Sequence, residues 1–235
     1  MASIKDHKGY NQGFERTQTF NIRIERRANM IMSKMNNTNS RSLKILEIGC
    51  GTGEISNYLA INTNGQIKGI DICKPFIDIA KKEFNHSNLE YEVKDFFDYL
   101  SQENEKFDYI VGNGILHHLY NNLDDSLITL NKMLKSKGKI IFMEPNIYNP
   151  YCYLIFNYLR GWANLDPDEM AFSKRFISNK LCKNNYSEIE VIYKDFLLPN
   201  TPIFLVKIVI AISDLLEKVF PVNRITQSIF ISASK

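Results

Sequence analysis

The chain has 235 residues, with 44% hydrophobic and 23% charged residues and a formal net charge of +3. That length suits one domain with a sizeable core. The small charge, with no long basic run, gives no call for nucleic acid as a partner. Four cysteines, Cys50, Cys73, Cys152 and Cys182, are scattered without CxxC spacing. They fit reduced thiols in a cytoplasmic protein better than disulfides or a zinc site. The first eight residues are polar, so no secretory signal is read there. No repeat or low-complexity tract is found.

After a polar start at 1–13, helical spacing runs from about Phe14 to Met35, with Phe20, Ile24, Ala28, Ile31 and Met35 on one face. This helix carries Arg23, Arg26 and Arg27. They read either as a solvated face or as part of a helix over a ligand pocket, with Tyr10, Phe14 or Arg23 touching ligand. Asn36 to Ser42 is a polar linker. Lys44 to Ile48 is a short apolar run and reads as a buried strand. Gly49, Gly51 and Gly53 follow, and Ile55, Tyr58 and Leu59 return to helical spacing. Glycine turns with no Cβ can press backbone against a ligand. Strand, glycine turn, helix is the opening unit of a nucleotide-binding α/β domain. Position 54 is Glu, so the third glycine of a dinucleotide fingerprint is missing.

Asn64-Gly65 ends the helix, and Gln66 to Asp71 reads as the second strand, ending in an acid. An acid at this point can accept hydrogen bonds from both ribose hydroxyls of a nucleotide cofactor. A helix beginning near Pro75 turns Phe76, Ile79, Ala80 and Phe84 inward. Leu89 to Val93 is the third strand, followed by Asp95-Phe96, with Asp98 as a competing acid. Phe107 to Val111 is the fourth strand. Gly112-Asn113-Gly114 is a second close-approach turn at a strand's C-terminal edge, and His117 and His118 come next. A helix opens at Asn121 to Asp125 and turns Leu127, Leu130 and Leu134 inward. Lys135 to Gly138 reads as its C-cap. Gly138 to Glu144 reads as the fifth strand, and Asn146 lies in the stretch that leaves it.

Tyr148, Tyr151, Tyr153, Phe156, Tyr158 and Trp162 then crowd into fifteen residues. They are placed to wall a pocket or to form a buried connecting helix. Asp166-Pro-Asp-Glu reads as a helix start, with Phe172, Phe176, Ile177 and Leu181 on the apolar face. Ser187 to Phe196 and Ile225 to Ala233 read as the last two strands, with an apolar insert from Pro199 to Phe220 between them. Its uncharged runs are far shorter than the roughly 20 residues needed to span a bilayer. Three readings stand for it: a helix buried on the core, a lid over the acceptor, or a surface for a homodimer partner or a membrane through 202–220. A membrane-skimming helix would want more basic residues along its polar face.

The run from Glu47 through Gly49, Gly51 and Gly53 resembles motif I of the class I S-adenosylmethionine (SAM)-dependent methyltransferases. The second-strand acid, the third-strand Asp, the fourth-strand loop and the fifth strand follow in that family's order over about residues 43–145. The resemblance implies an α/β fold: a Rossmann-like, seven-stranded, mostly parallel sheet with helices on both faces and the last strand antiparallel. It implies residues 1–42 as a segment over the cofactor pocket. Residues 43–235 then form the methyltransferase domain, with lid-like segments at 146–170 and 198–222. SAM is the implied cofactor, with S-adenosylhomocysteine (SAH) as product. The implied cofactor contacts are Glu47, Gly49, Cys50, Gly51 and Gly53, then Asp71 and Ile72, then Asp95 and Phe96 at the adenine. Asn113 and Gly114 line both cofactor and acceptor.

The implied reaction is direct methyl transfer to an oxygen or nitrogen of a small-molecule, sugar or lipid-linked acceptor. Histidine titrates near neutral pH, so His117 or His118 suits taking the acceptor's proton, with Glu144 or a pocket Tyr in reserve. Each histidine could equally be a hydrogen bond that shapes the loop. The candidate acceptor contacts are Tyr10, Phe14, Glu144, Asn146, Tyr148, Tyr151 and Trp162. No metal is expected, since no third ligand stands at helical spacing from the histidines. The chain has Asn113-Gly114-Ile115-Leu116 where N-P-P-[YF] would stand, which argues against methylation of base or protein amides. Two alternatives stay open: an inactive SAM- or SAH-binding partner subunit, and an NAD-dependent oxidoreductase.

Overall fold

Short β-branched and leucine-rich runs form the strands of a single sheet. The computed structural model describes residues 17–102, 105–163, 165–166, 169–198 and 201–235. Seven strands pair in the order β3-β2-β1-β4-β5-β7-β6. They are β1 Lys44–Ile48, β2 Gln66–Asp71, β3 Leu89–Val93, β4 Phe107–Asn113, β5 Leu134–Pro145, β6 Ser187–Lys194 and β7 Ser228–Ser234. β7 runs antiparallel to both neighbours, and the other pairs are parallel. This is the seven-stranded sheet with an antiparallel last strand that the motif order implies.

The helices are α1 Gln18–Met32, α2 Glu54–Asn62, α3 Lys74–Glu83, α4 Phe96–Gln102, α5 Leu123–Met133, α6 Pro150–Asn157, α7 Lys174–Lys183 and α8 Ile203–Leu216. Both faces of the sheet are buried, so neighbouring strand residues serve opposite cores. Leu46, Ile110 and Ile140 join the cluster under α5 and α7, while Ile45, Val111 and Ile141 join the cluster under α1 and α2. The strand order reverses direction between β1 and β4. The crevice at their C-terminal ends is where open α/β sheets take ligands.

Several boundaries differ from expectation, each for a visible reason. Helix α1 starts at Gln18, capped by the Thr17 hydroxyl, which accepts from the Phe20 N–H; Phe14 lies outside the described residues. Lys135 to Gly138 is not a helix cap. Leu134 already pairs with Phe107, and the register shift before Tyr109↔Lys139 absorbs the extra residues, with Lys137 at φ 66°. No helix starts at Asp166. Its carbonyl accepts from Arg160, and Phe172 bridges Asn146. Helix α7 opens instead behind Ser173, whose hydroxyl accepts from the Phe176 N–H at 3.1 Å. β6 stops at Lys194 because Asp195 turns left-handed at φ 70°. β7 starts at Ser228 because Val222–Ile225 forms a 3-10 turn. Finally, α8 is not buried on the core. Of its side chains only Val206 and Ser213 are buried.

Candidate active site

The loop after β1 is shaped by glycines at two kinds of position. At Gly49 (φ 62°) a Cβ would stand 2.6 Å from Ile115 Cδ1, so the packing itself demands glycine. At Gly51 (φ 54°) a Cβ would meet nothing within 4 Å, so this part of the loop borders open space. Asp71, at the tip of β2, holds the loop in place. Its carboxylate accepts the Gly51 N–H at 2.9 Å and the Cys73 N–H at 2.8 Å. Burial pushes its pKa up, while these N–H groups and the charge of His118 pull against the rise.

Glu47, at the end of β1, is 2% exposed, and one of its oxygens accepts from the Ser56 hydroxyl. Burial pushes its pKa up to about 8, despite the Ser56 bond. Phe20 and Ile24 of α1, Glu47, the glycine loop, Phe76 of α3 and Asn113 line a cleft of about 520 Å³ including its open mouth. The cleft is therefore lined by a buried acid, Glu47, and by an open backbone face at Gly51. Cys50 also lines it, with its thiol pushed well up by burial. Ile72 is 39% exposed at the tip of β2. Asp95 is exposed and accepts the Phe97 N–H at 2.9 Å, opening α4. Phe96 is buried in the core, 4.2 Å from the Phe97 ring centroid. Neither of these two is among the residues that line the cleft.

The second edge is built around Glu144, at the end of β5 and 1% exposed. One oxygen accepts the N–H groups of Ile115 (3.0 Å) and Leu116 (2.9 Å). The other accepts the His117 backbone N–H at 3.3 Å and faces His117 Nδ1 at 2.9 Å. In the tautomer with the hydrogen on Nδ1, this nitrogen donates to Glu144 and Nε2 is left as the ring's acceptor. His118 Nδ1 lies 3.0 Å from Glu169, and the two imidazole centroids are 4.1 Å apart. Burial disfavours charge on His118, but the Glu169 hydrogen bond and charge outweigh it and raise the pKa above 6.5. His117, His118 and Glu169 bring one ligand atom each within 4.8 Å of one another. Glu169 thus supplies from a distance the third donor that the local spacing lacks, and its Oε2 is buried with no partner among the described residues.

A polar network ties α1 to this edge. Arg27, 8% exposed, donates to Asn113 Oδ1 (2.8 Å), Gln227 Oε1 (2.8 Å) and Ser228 Oγ (3.0 Å), and pairs with Asp195 at 3.4 Å. Arg23 donates to the Leu197 carbonyl at 2.8 Å and to Gln227 Oε1 at 2.9 Å. Burial, and then the charge of Arg27, lower the Arg23 pKa to about 9. Sequence reading gave no role to Arg27, Asp195, Gln227 or Glu169. The one available signal was Arg23 and Arg27 at i,i+4 on a helix, which points them the same way.

The expected acceptor residues divide. Asn146 is fully buried, and its amide donates to the carbonyls of Arg224 (2.9 Å) and Thr226 (2.8 Å). Tyr148, Tyr151 and Trp162 are exposed, Trp162 at 75%. Tyr10 and Phe14 lie outside the described residues.

A family model described as a methyltransferase domain matches residues 39–190. The chain is 29% identical over 143 residues to a malonyl-(acyl-carrier protein) O-methyltransferase of Acetivibrio thermocellus, a match covering 60% of this chain and 49% of that protein. It is 30% identical over 98 residues to a ubiquinone biosynthesis O-methyltransferase of Pelagibacter ubique, covering 42% of this chain and 40% of that protein. The chain thus spans about half the length, or less, of these curated relatives. Its fold is shared with a SAM-dependent methyltransferase from Archaeoglobus fulgidus, at TM-score 0.64 and 18% identity over 92% of this chain and 94% of that one. The family match covers well over half of the sequence and falls on the glycine loop, the strand-tip acids and the histidine loop: the chain belongs to the methyltransferase-domain family and shares the fold of SAM-dependent methyltransferases.

Proposed function

We propose that the protein methylates an oxygen (or nitrogen) atom of a small-molecule, sugar or lipid-linked acceptor, with His117 receiving the acceptor's proton. The observation that carries this reading is the His117 Nδ1–Glu144 pair at 2.9 Å, on the loop that follows the cleft-lining Asn113. SAM supplies a methyl group on positively charged sulfur, already reactive toward a lone pair. The chain's task is then mostly placement. Glu47 and the open face at Gly51 hold the amino-acid end. Asp71 would accept from the ribose hydroxyls with the lone pairs its loop contacts leave, and Ile72 would pack on the adenine, with Asp95 and Phe96 beyond it. Asn113 and Gly114 line the meeting point of the two molecules.

In this reading the acceptor's oxygen would take the methyl group as the S–CH3 bond breaks and leaves neutral SAH, while the acceptor's O–H bond breaks and its proton passes to His117 Nε2. Glu144 fixes the tautomer that makes Nε2 the acceptor and stabilises the imidazolium that results. His118, held by Glu169, stands beside it. The described residues of 146–170 then form the acceptor's wall, with Tyr148, Tyr151 and Trp162 on it, and helix α1 covers the cofactor through Phe20 and Ile24. The curated relatives named above support an oxygen acceptor, since both are O-methyltransferases by name.

The test is SAH release from SAM over a panel of carboxylic acids, phenols, sugars and prenylated phenols. Replacing His117 and His118 together with Ala should abolish most turnover while SAH affinity stays within a few-fold. Unchanged turnover removes the base assignment. The reading is metal-free, so EDTA should leave turnover as it was. Loss on EDTA, restored by a divalent cation, would make His117, His118 and Glu169 metal ligands instead.

A further inference from the structure

Helix α8 leaves most of its apolar side chains outside, and of its own residues buries only Val206 and Ser213. Ser213, fully buried, accepts the Phe196 N–H and donates to Glu217, each at 3.1 Å. Glu217 also accepts the Asp195 N–H at 2.8 Å and pairs with Lys194 at 2.6 Å. Facing out are Phe204 (75% exposed), Ile208 (55%), Ile212 (48%) and Leu215 (63%). Their spacing of four, four and three makes one stripe about 16 Å long. Phe220, 68% exposed, continues it in the following turn. Monomeric soluble proteins seldom leave such a contiguous stripe uncovered.

The charges around the stripe are mainly positive, with Asp214 the one exposed acid of this segment. Lys207, Lys218 and Arg224 are exposed and form no salt bridge among the described residues. The two acids of this segment are engaged elsewhere: Asp214 by Arg26 at 3.0 Å, and Glu217 by Lys194. Arg224 lies over the Phe220 ring, 4.7 Å from its centroid, so cation and apolar tip sit side by side.

We propose that α8 docks the protein on an anionic membrane leaflet. Its apolar stripe enters the boundary between headgroups and acyl chains, and Lys207, Lys218 and Arg224 meet lipid phosphates. A second copy of the chain fits this face less well. An antiparallel two-fold pairing centred between Ile212 and Ser213 sets Lys207 of one copy against Lys218 of the other, and a parallel pairing sets each lysine against itself. No described helix is long and apolar enough to cross a membrane, so α8 lies on the leaflet and does not span it. Docking also places the cleft. Helix α1 holds α8 through the Arg26–Asp214 pair and through the Thr19 hydroxyl on the Thr201 carbonyl at 2.8 Å, and Phe20 and Ile24 of that same helix line the cleft. An acceptor dissolved in the leaflet then has a short path to the site. That consequence rests on the functional reading above; the docking does not.

The experiment is co-sedimentation of the full chain with vesicles of phosphatidylcholine alone or mixed with phosphatidylglycerol, with SAH binding measured on the same preparations. The expected preference for the anionic vesicles is roughly 10²-fold, at about a factor of five per surface cation, and it falls with added salt. The triple variant Phe204→Ser, Ile208→Ser, Leu215→Ser should lose at least about tenfold in partitioning to either vesicle with SAH affinity unchanged. Lys207→Glu with Lys218→Glu should remove the anionic preference alone. No partitioning by the wild type, or equal partitioning by the triple variant, overturns the docking. So does a wild-type dimer in light scattering that the triple variant dissolves while no vesicles are bound. SAH binding that fails while docking persists would instead count against the cofactor site.

Discussion

The two edges of the candidate site are built in opposite ways. The edge proposed for the cofactor comes from contiguous segments. Gly49 to Gly53 follow β1 directly, and Asp71 reaches back across one strand to hold Gly51. The edge proposed for the acceptor comes from side chains far apart in the chain. Glu144 holds a loop 27 to 29 residues earlier, and Arg27 ties Asn113 to Gln227 and Ser228. Local backbone chemistry suffices where a backbone loop meets the ligand. Where side chains must be aimed and a tautomer fixed, partners have to be brought in by the fold.

This division can be broken by substitution. The largest effect should fall on turnover. His117→Ala should lower it by roughly 10²–10⁴-fold, measured as SAH release, because a placed proton acceptor contributes about that much. Next comes stability. Arg27→Met leaves Asp195, 1% exposed, without its cation. The cost should be about 3 kcal/mol in urea unfolding, since a buried charge loses its partner. Asp71→Ala should weaken SAH by roughly 10²-fold in calorimetric titration, through lost hydrogen bonds to a charged acceptor and a loosened loop.

A further effect is a pH dependence. Folding raises the Glu47 pKa from 4.5 to about 8, so the folded chain binds more protons than the unfolded one between those values. Its contribution is fully present below about pH 4.5 and is lost as pH rises through about 8. Melting temperatures of wild type minus Glu47→Gln should therefore fall across that window. A flat difference would mean that Glu47 is ionised in the folded protein.

The same division decides what could be read in advance. Strand, glycine turn and acid are neighbours in sequence, so the opening strand–turn–helix unit and its strand-tip acid were legible in residues 44–71, while the seven-stranded sheet followed only from the resemblance. The pairing of His117 and His118 with Glu144 and Glu169 does not. Glu169 lies more than fifty residues on, in a segment that reads as the start of a helix and is instead wrapped around Arg160, which donates to the carbonyls of Phe156 and Glu169. The buried arginines of α1 were equally hidden. A helix carrying three arginines looks solvated until Asp195, from a left-handed turn after β6, closes the pair. Asn146 looked like a pocket residue because it follows Glu144 and Pro145. In the fold its amide fastens the end of β5 to the turn before β7.

The most direct test of this division of labour is one SAH titration series on wild type, Asp71→Ala and His117→Ala. Wild type should bind in the micromolar range, Asp71→Ala roughly 10²-fold more weakly, and His117→Ala within a few-fold of wild type. If His117→Ala lost SAH as completely as Asp71→Ala, the histidine loop would belong to the cofactor site, and the separation of the two edges would be wrong.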